Sequence, residues 1–287
     1  MVTQLTIAQI INQSVLKALL YEISCFPSPG LVSPVSNGAH TDMNYYTFID
    51  STVAICPYFE KMIETGLDRT IADHTLLERI RPTGLLMEHN MFSATHNINT
   101  HKGMIFLMGI VATAAARTYT LSNDFDSIQG TIMAMTAGLT AKELVDHPNK
   151  KDLTYGEKIY NQYGITGIRG EVEKGIPSVF KYGLPYYVKH DYLPQNGRLV
   201  GTLLHIMAHC EDSTLLHRGT IKTLKSVQKD AAEAIYMGSV ETKAGMDKIK
   251  KMDQKYSVRK ISPGGSADLL SVVVFLEDVQ RKLFQSQ

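Results

Sequence analysis

MIFLMGIVATAAART, Met104–Thr118, carries the reading of the fold. Ile105, Leu107, Met108, Val111, Ala112 and Ala115 make a broad apolar face at helical spacing, while Gly109 and four nearby alanines leave little bulk to hold neighbours away. Such a segment suits a helix at the centre of a bundle, approached closely by others. Just ahead of it stands NTHKG, Asn99–Gly103, polar and without period. At a helix N-terminus, Asn99, Thr100, His101 and Lys102 would bring side-chain donors to unpaired backbone amides, an arrangement suited to phosphate. An ordinary Thr100 cap beside a solvated Lys102 would have the same sequence.

Working outward, Thr6 to Ser24 repeats apolar residues at three and four (Ile7, Ile10, Ile11, Val15, Ala18, Leu19, Ile23), which predicts an amphipathic helix. It runs into FPSPGLVSPVSNGAHTDMN, Phe26–Asn44, whose three prolines and two glycines exclude regular helix. Asp42 or Asn44 is expected to cap a second helix that Pro57 interrupts and Gly66 ends. Thr70 to Arg81 predicts a third, closed by Pro82 and Gly84, with Leu85 to Ser93 a separate short apolar piece. Beyond the central segment, Asp124 to His147 reads as helix with a break near Gly138, and Pro148 to Asp152 as a polar link. Asn161 to Gly197, with six glycines and three prolines, has no clean period. Tyr182 to Val188 is its β candidate. Helices return over Arg198–Cys210, Thr220–Met237 and Glu241–Tyr256, and a last one follows SPGGSAD, Ser262–Asp268. No alternating strand set emerges. The expectation is an all-α, single-domain multi-helix bundle over residues 1–287, with active-site loops at helix ends.

The 287 residues hold 29 Lys and Arg against 28 Asp and Glu, so nothing in the balance points to nucleic acid or a membrane surface. The first twenty residues lack a basic leader, no run of 18 apolar residues occurs uninterrupted, and Cys25, Cys56 and Cys210 show no CxxC spacing. A cytoplasmic protein without signal peptide, membrane span, disulfide framework or structural zinc is expected. His205 and His209 lie four apart, but Ile206 stands where a zinc protease needs glutamate. There is no GxxxxGK[ST] and no strand-borne GxGxxG, which excludes the common nucleotide loops.

Five glycine-bearing, non-periodic stretches instead gather ionisable residues at helix ends: Gly38–Asn44, Asn99–Gly103, Gly167–Glu171, Glu211–Gly219 and Ser262–Asp268. They offer His101, Lys102, Arg169 and Arg218 as bases, and Asp42, Glu171, Glu211, Asp212 and Asp268 as carboxylates. Carboxylates hold a hard cation while bases and helix amides hold phosphate oxygens, so the set suits a magnesium-bound polyphosphate.

In this order and spacing, PGLVSPVSNGAHTDMN, NTHKGMIF, GIRGEVEKGIP, EDSTLLHRG and SPGGSADLL resemble the triphosphoribosyl-dephospho-CoA synthase family over about Tyr21 to Leu276. Ser28, Thr214 and Thr220 depart from that family's pattern, which favours a basic residue, asparagine and glycine there. The resemblance implies transfer of the triphosphoribosyl part of ATP to the 2′-hydroxyl of 3′-dephospho-CoA with release of adenine. The product would be the precursor of the citrate lyase prosthetic group, passed to a transferase that loads the acyl carrier protein; malonate decarboxylase is served by related members. It further implies Mg2+ on Asp42, Asp212 and Asp268, which with Glu171 are also candidates for the base. His40 or His101 would protonate adenine. Lys102, Arg169 and Arg218 would hold the triphosphate, with Asn99, Gly103, Gly264, Gly265 and Ser266 in the phosphate-binding loops. The same parts could serve an Mg2+-dependent N-ribosyl hydrolase or a non-catalytic nucleotide-binding protein, and a monomer or homo-oligomer is equally compatible.

Overall fold

The computed structural model describes residues 5–145 and 153–285. Thirteen α-helices lie among them: α1 (Ile7–Ile23), α2 (Tyr45–Leu67), α3 (Asp73–Ala94), α4 (Lys102–Leu121), α5 (Ile128–Thr136), α6 (Tyr155–Tyr163), α7 (Gly167–Glu173), α8 (Leu184–Lys189), α9 (Gln195–His209), α10 (Ser213–Arg218), α11 (Ile221–Tyr236), α12 (Lys243–Arg259) and α13 (Gly264–Val279). Among the described residues there is no β-strand, only one antiparallel bridge between Ser33 and Ser36. The fold is all-α.

The chain forms two compact units, Met1–Tyr21 with Tyr46–Ala137 and Ser271–Gln287, and Glu22–Tyr45 with Gly138–Leu270. In the first, α4 is the core helix and packs on α3 and α5. Every residue from Leu107 to Thr118 is buried. Small residues permit this: a Cβ on Gly109 would lie 2.9 Å from the Met62 sulfur, and one on Gly66 2.4 Å from the Thr113 carbonyl oxygen, so α2 and α4 meet almost backbone to backbone. Length and mean hydropathy would let Lys102–Leu121 cross a membrane, but 78% of that window is covered by the protein itself. Where α4 leaves the apolar core, buried Arg117 pairs with Asp73 at 3.0 Å and donates to the carbonyls of Asp68, at 2.9 Å, and Ile71.

Both prolines expected to break helices lie inside them. α2 runs through Pro57 and α3 through Pro82, so Leu85–Ser93 belongs to α3 and is no separate piece. Each proline faces solvent, and the carbonyl four positions earlier belongs to an exposed residue, Val53 or Glu78, so water can replace the lost amide. Burial of Ile55, Cys56, Phe59 and Ile63 around the first, and of Leu77, Ile80 and Met87 around the second, outweighs the cost of about 3 kcal/mol.

In the second unit α9 packs on α8 and α11, and α11 on α12. The region without period is a succession of short helices, α6 to α8, separated where Gly164, Gly167 and Gly175 take positive φ. Tyr182–Val188 is helical: among the described residues no second strand exists to satisfy its backbone, so the bonds close locally. The break at Gly138 is present, with φ of 75°, while the expected link Pro148–Asp152 lies outside the described residues.

Candidate active site

The second unit is built around Asp212. α9 stops at His209, the chain extends through Cys210, and Asp212 then caps α10. Its Oδ1 accepts from the Thr214 amide at 2.9 Å, the Thr214 hydroxyl at 2.6 Å and the Gly265 amide at 3.3 Å. Its Oδ2 accepts from the amide and hydroxyl of Ser266, at 2.8 and 2.9 Å. One buried carboxylate thus serves the first turns of two helices, α10 and α13, where helix dipoles favour negative charge. Position 265 must be small, since a Cβ there would stand 2.9 Å from Asp212 Oδ1.

From this centre a chain of polar contacts reaches the proline-rich loop. Thr214 Oγ1 lies 3.1 Å from the Ser262 carbonyl oxygen, Ser262 Oγ is 2.9 Å from His40 Nε2, and His40 Nδ1 stands 3.7 Å from Asp42. Three of the five motifs therefore meet. A fourth joins through Gly167, whose Cβ would be 3.0 Å from that of Ser213. Glu171, from that motif, accepts from the Ser178 amide at 2.7 Å; burial raises its pKa and the Glu211 charge adds to the rise.

Asp268 lies in the first turns of α13 and Glu22 in the last turn of α1. Among the described residues no hydrogen bond or ion pair reaches either carboxyl. Glu22 is 8% exposed, and burial pushes its pKa up to about 8. Burial, and then the charges of Glu22 and Asp212, push Asp268 well above the carboxylate range. The same environment keeps thiols protonated: burial with the charge of Glu22 raises Cys25, and burial with Asp212 and Glu171 raises Cys210, so neither is a primed nucleophile.

Other expected residues have partners elsewhere. Arg169 is committed to Glu143, Nε to Oε2 at 2.7 Å. Arg218 ends α10, and its side chain lies outside the described residues. NTHKG belongs to the first unit. There Asn99 Oδ1 accepts from the Lys102 amide at 3.2 Å, the role expected of Thr100, while Lys102 Nζ pairs with Glu88 at 2.9 Å and Gly103 is the second residue of α4. Thr100 donates to Ser51 at 2.7 Å, which leaves the Ser51 hydroxyl hydrogen for His101 Nδ1 at 2.6 Å. The proton of the neutral ring is then on Nε2, a buried atom with no partner. Burial lowers this pKa to about 3, so His101 is not an imidazolium ready to protonate adenine. His205 and His209 stack on Tyr186 and Tyr182, with centroids 4.2 and 3.6 Å apart.

As a cation site the residues divide. Among the described residues no group of three His, Cys, Asp or Glu stands close enough to hold a metal ion. Asp212 has both oxygens filled by protein donors, and Asp42, 56% exposed, is joined to it through His40, Ser262 and Thr214. Glu22 and Asp268 are hard oxygen donors lacking a counter-charge, and Mg2+ on a nucleotide needs only one or two carboxylates besides phosphate oxygens. The pair fits. Sequence reading missed Glu22, although it falls four residues beyond Ala18 on the buried stripe of α1, where an acid is out of place.

Residues 8–286 match the family described as CitG: ATP:dephospho-CoA triphosphoribosyl transferase. Among similar proteins, one from Lactiplantibacillus plantarum named "Probable 2-(5''-triphosphoribosyl)-3'-dephosphocoenzyme-A synthase" is 39% identical over 273 residues, covering 93% of this chain and 96% of that protein. Proteins of the same name from Streptococcus mutans and Streptococcus pyogenes are 35% and 37% identical, covering 92% and 95% of this chain and 94% and 97% of their own lengths. No solved structure matches the chain.

Proposed function

The chain belongs to the ATP:dephospho-CoA triphosphoribosyl transferase family, and from that premise we propose that it moves the triphosphoribosyl group of ATP onto the 2′-hydroxyl of 3′-dephospho-CoA, releasing adenine. The observation that carries this is the match over residues 8–286. The reaction is substitution at an anomeric carbon. The acceptor oxygen bonds to ribose C1′, the bond from C1′ to adenine N9 breaks, and the triphosphate stays whole. Positive charge develops on the ribose, so a carboxylate facing C1′ lowers the barrier, while a base takes the hydroxyl proton and an acid supplies one to adenine.

The base and the acid have candidates in the second unit. Glu171, half-buried and raised in pKa, is suited to accept the hydroxyl proton. His40, joined to Ser262 and close to Asp42, would protonate the leaving base. Asp212 is a positioning residue that fixes Thr214, Gly265 and Ser266. Glu22 and Asp268 would hold Mg2+, which when bound would offset phosphate charge. The product would pass to a transferase loading the citrate lyase acyl carrier protein, in the cytoplasm.

The test is incubation with ATP, Mg2+ and 3′-dephospho-CoA followed by product separation. Adenine formed only with the acceptor, alongside a heavier CoA species, is expected. Adenine without acceptor would make the chain an N-ribosyl hydrolase, and saturable binding without product would make it a nucleotide-binding protein.

A further inference from the structure

The two cations that the motif reading offered to the triphosphate and whose side chains are described, Lys102 and Arg169, are both held in ion pairs. Arg259 and Lys260 are not. Both are exposed, and among the described residues neither side chain has a hydrogen bond or ion pair. They line a pocket of about 70 Å3 in the second unit, whose wall also includes Gly219, Thr223 and Ser262 and contains no carboxylate. That volume accommodates several waters or the oxygens of a phosphate group, and no nucleoside.

The pocket borders the site already described. Ser262 in its wall holds His40 at 2.9 Å, and its carbonyl faces Thr214, the partner of Asp212. Gly219 closes the fourth motif, and Arg259 and Lys260 immediately precede the fifth. Thr223 lies in the first turn of α11, a helix of 16 residues with no acid in that turn, so its positive end adds to the two cations. Lys260 takes the left-handed conformation, φ of 56°, which turns the chain from α12 towards Ser262.

We infer that Arg259 and Lys260 form the subsite that holds a polyphosphate ester of the substrates, either the triphosphate of ATP or the pyrophosphate of dephospho-CoA. Arginine supplies a planar fork for phosphate oxygens and lysine a point charge, the usual division of this work. This rests on the transferase reading. A base ending α12 also complements its helix dipole, and that role alone would affect stability and leave substrate constants unchanged.

The test uses the full-length protein with Arg259→Gln and Lys260→Gln, singly and together, so that a folded single variant carries the result if the double variant is unstable. KM is measured for ATP and for dephospho-CoA with the other saturating, and binding of inorganic tripolyphosphate and of pyrophosphate is followed by calorimetry. Arg259→Gln should raise one KM and weaken the corresponding anion about tenfold to a hundredfold, with kcat changed far less and melting temperature unaltered. A rise for ATP with tripolyphosphate assigns the triphosphate, and a rise for dephospho-CoA with pyrophosphate assigns the coenzyme. Unchanged constants in a folded, active variant would overturn the subsite. Calorimetry separates the two failures: Arg259-dependent anion binding without adenine formation would leave the subsite standing and remove the transferase reading.

Discussion

Glu22→Gln tests the central electrostatic claim without any substrate. The Glu22 pKa is raised from 4.5 to about 8 in the folded protein. Between those values the folded state keeps a proton that the unfolded chain has released, so the stability associated with Glu22 is fully present below about pH 4.5 and is lost as pH rises towards about 8. At about 1.4 kcal/mol per pH unit, the loss is roughly 1 kcal/mol at pH 5 and roughly 4 kcal/mol at pH 7.5. Glutamine does not titrate, and its buried amide costs a pH-independent amount of about 1–3 kcal/mol. The readout is therefore a difference of differences: relative to wild type, Glu22→Gln should gain roughly 3 kcal/mol between pH 5 and pH 7.5. Urea unfolding followed by circular dichroism in EDTA, with constant slope, measures it. An offset that is the same at both pH values would refute the assignment of Glu22 as a buried acid without a counter-charge.

Asp212→Asn should lower adenine release by at least about a hundredfold and cost about 3 kcal/mol, because an amide nitrogen cannot accept from Ser266; full activity would remove this residue from the site. Gly265→Ala should push the new methyl against Asp212 Oδ1, costing about 1–3 kcal/mol and most of the activity, and a variant of wild-type melting temperature and rate would show that the turn has room. Adding Mg2+ to substrate-free protein should raise the denaturation midpoint at pH 7.5 more than at pH 5, where protons compete for Glu22 and Asp268, and the gain should shrink in Glu22→Gln. Equal gains at both pH values would place the cation elsewhere.

Those features of the fold that follow from short-range pattern were legible. The buried face of α4 and the turn at Gly138 needed only spacing and composition. Pro57 and Pro82 misled because a local rule was applied where burial on the opposite face decided the outcome. The site was legible as a list of motifs and not as an arrangement. Asp212 and Ser266 are 54 positions apart, and no spacing rule says that one carboxylate serves both. Nor could sequence distinguish a free cation from a paired one: the Arg169 partner, Glu143, is 26 residues away. Glu22 was the readable exception, an acid on an apolar stripe.

The acids of the second unit occupy opposed environments. Asp212 is surrounded by five donors and two helix ends; a ligand would have to strip those bonds away before using it. Glu22 and Asp268 have nothing comparable, and the Glu22 charge raises the cost of ionising Asp268. A fold could remove that cost by placing an amide or a base beside them, as it does for Asp278, which Lys17 and Lys282 each meet at 2.6 Å. Here no such group is present among the described residues, so burial favours the protonated form of both carboxyls until a positively charged species stabilises the ionised one. A cation that binds and an oxocarbenium-like ribose that forms for an instant are both such species, so the same unpaired acids can weaken the resting protein and favour the transition state.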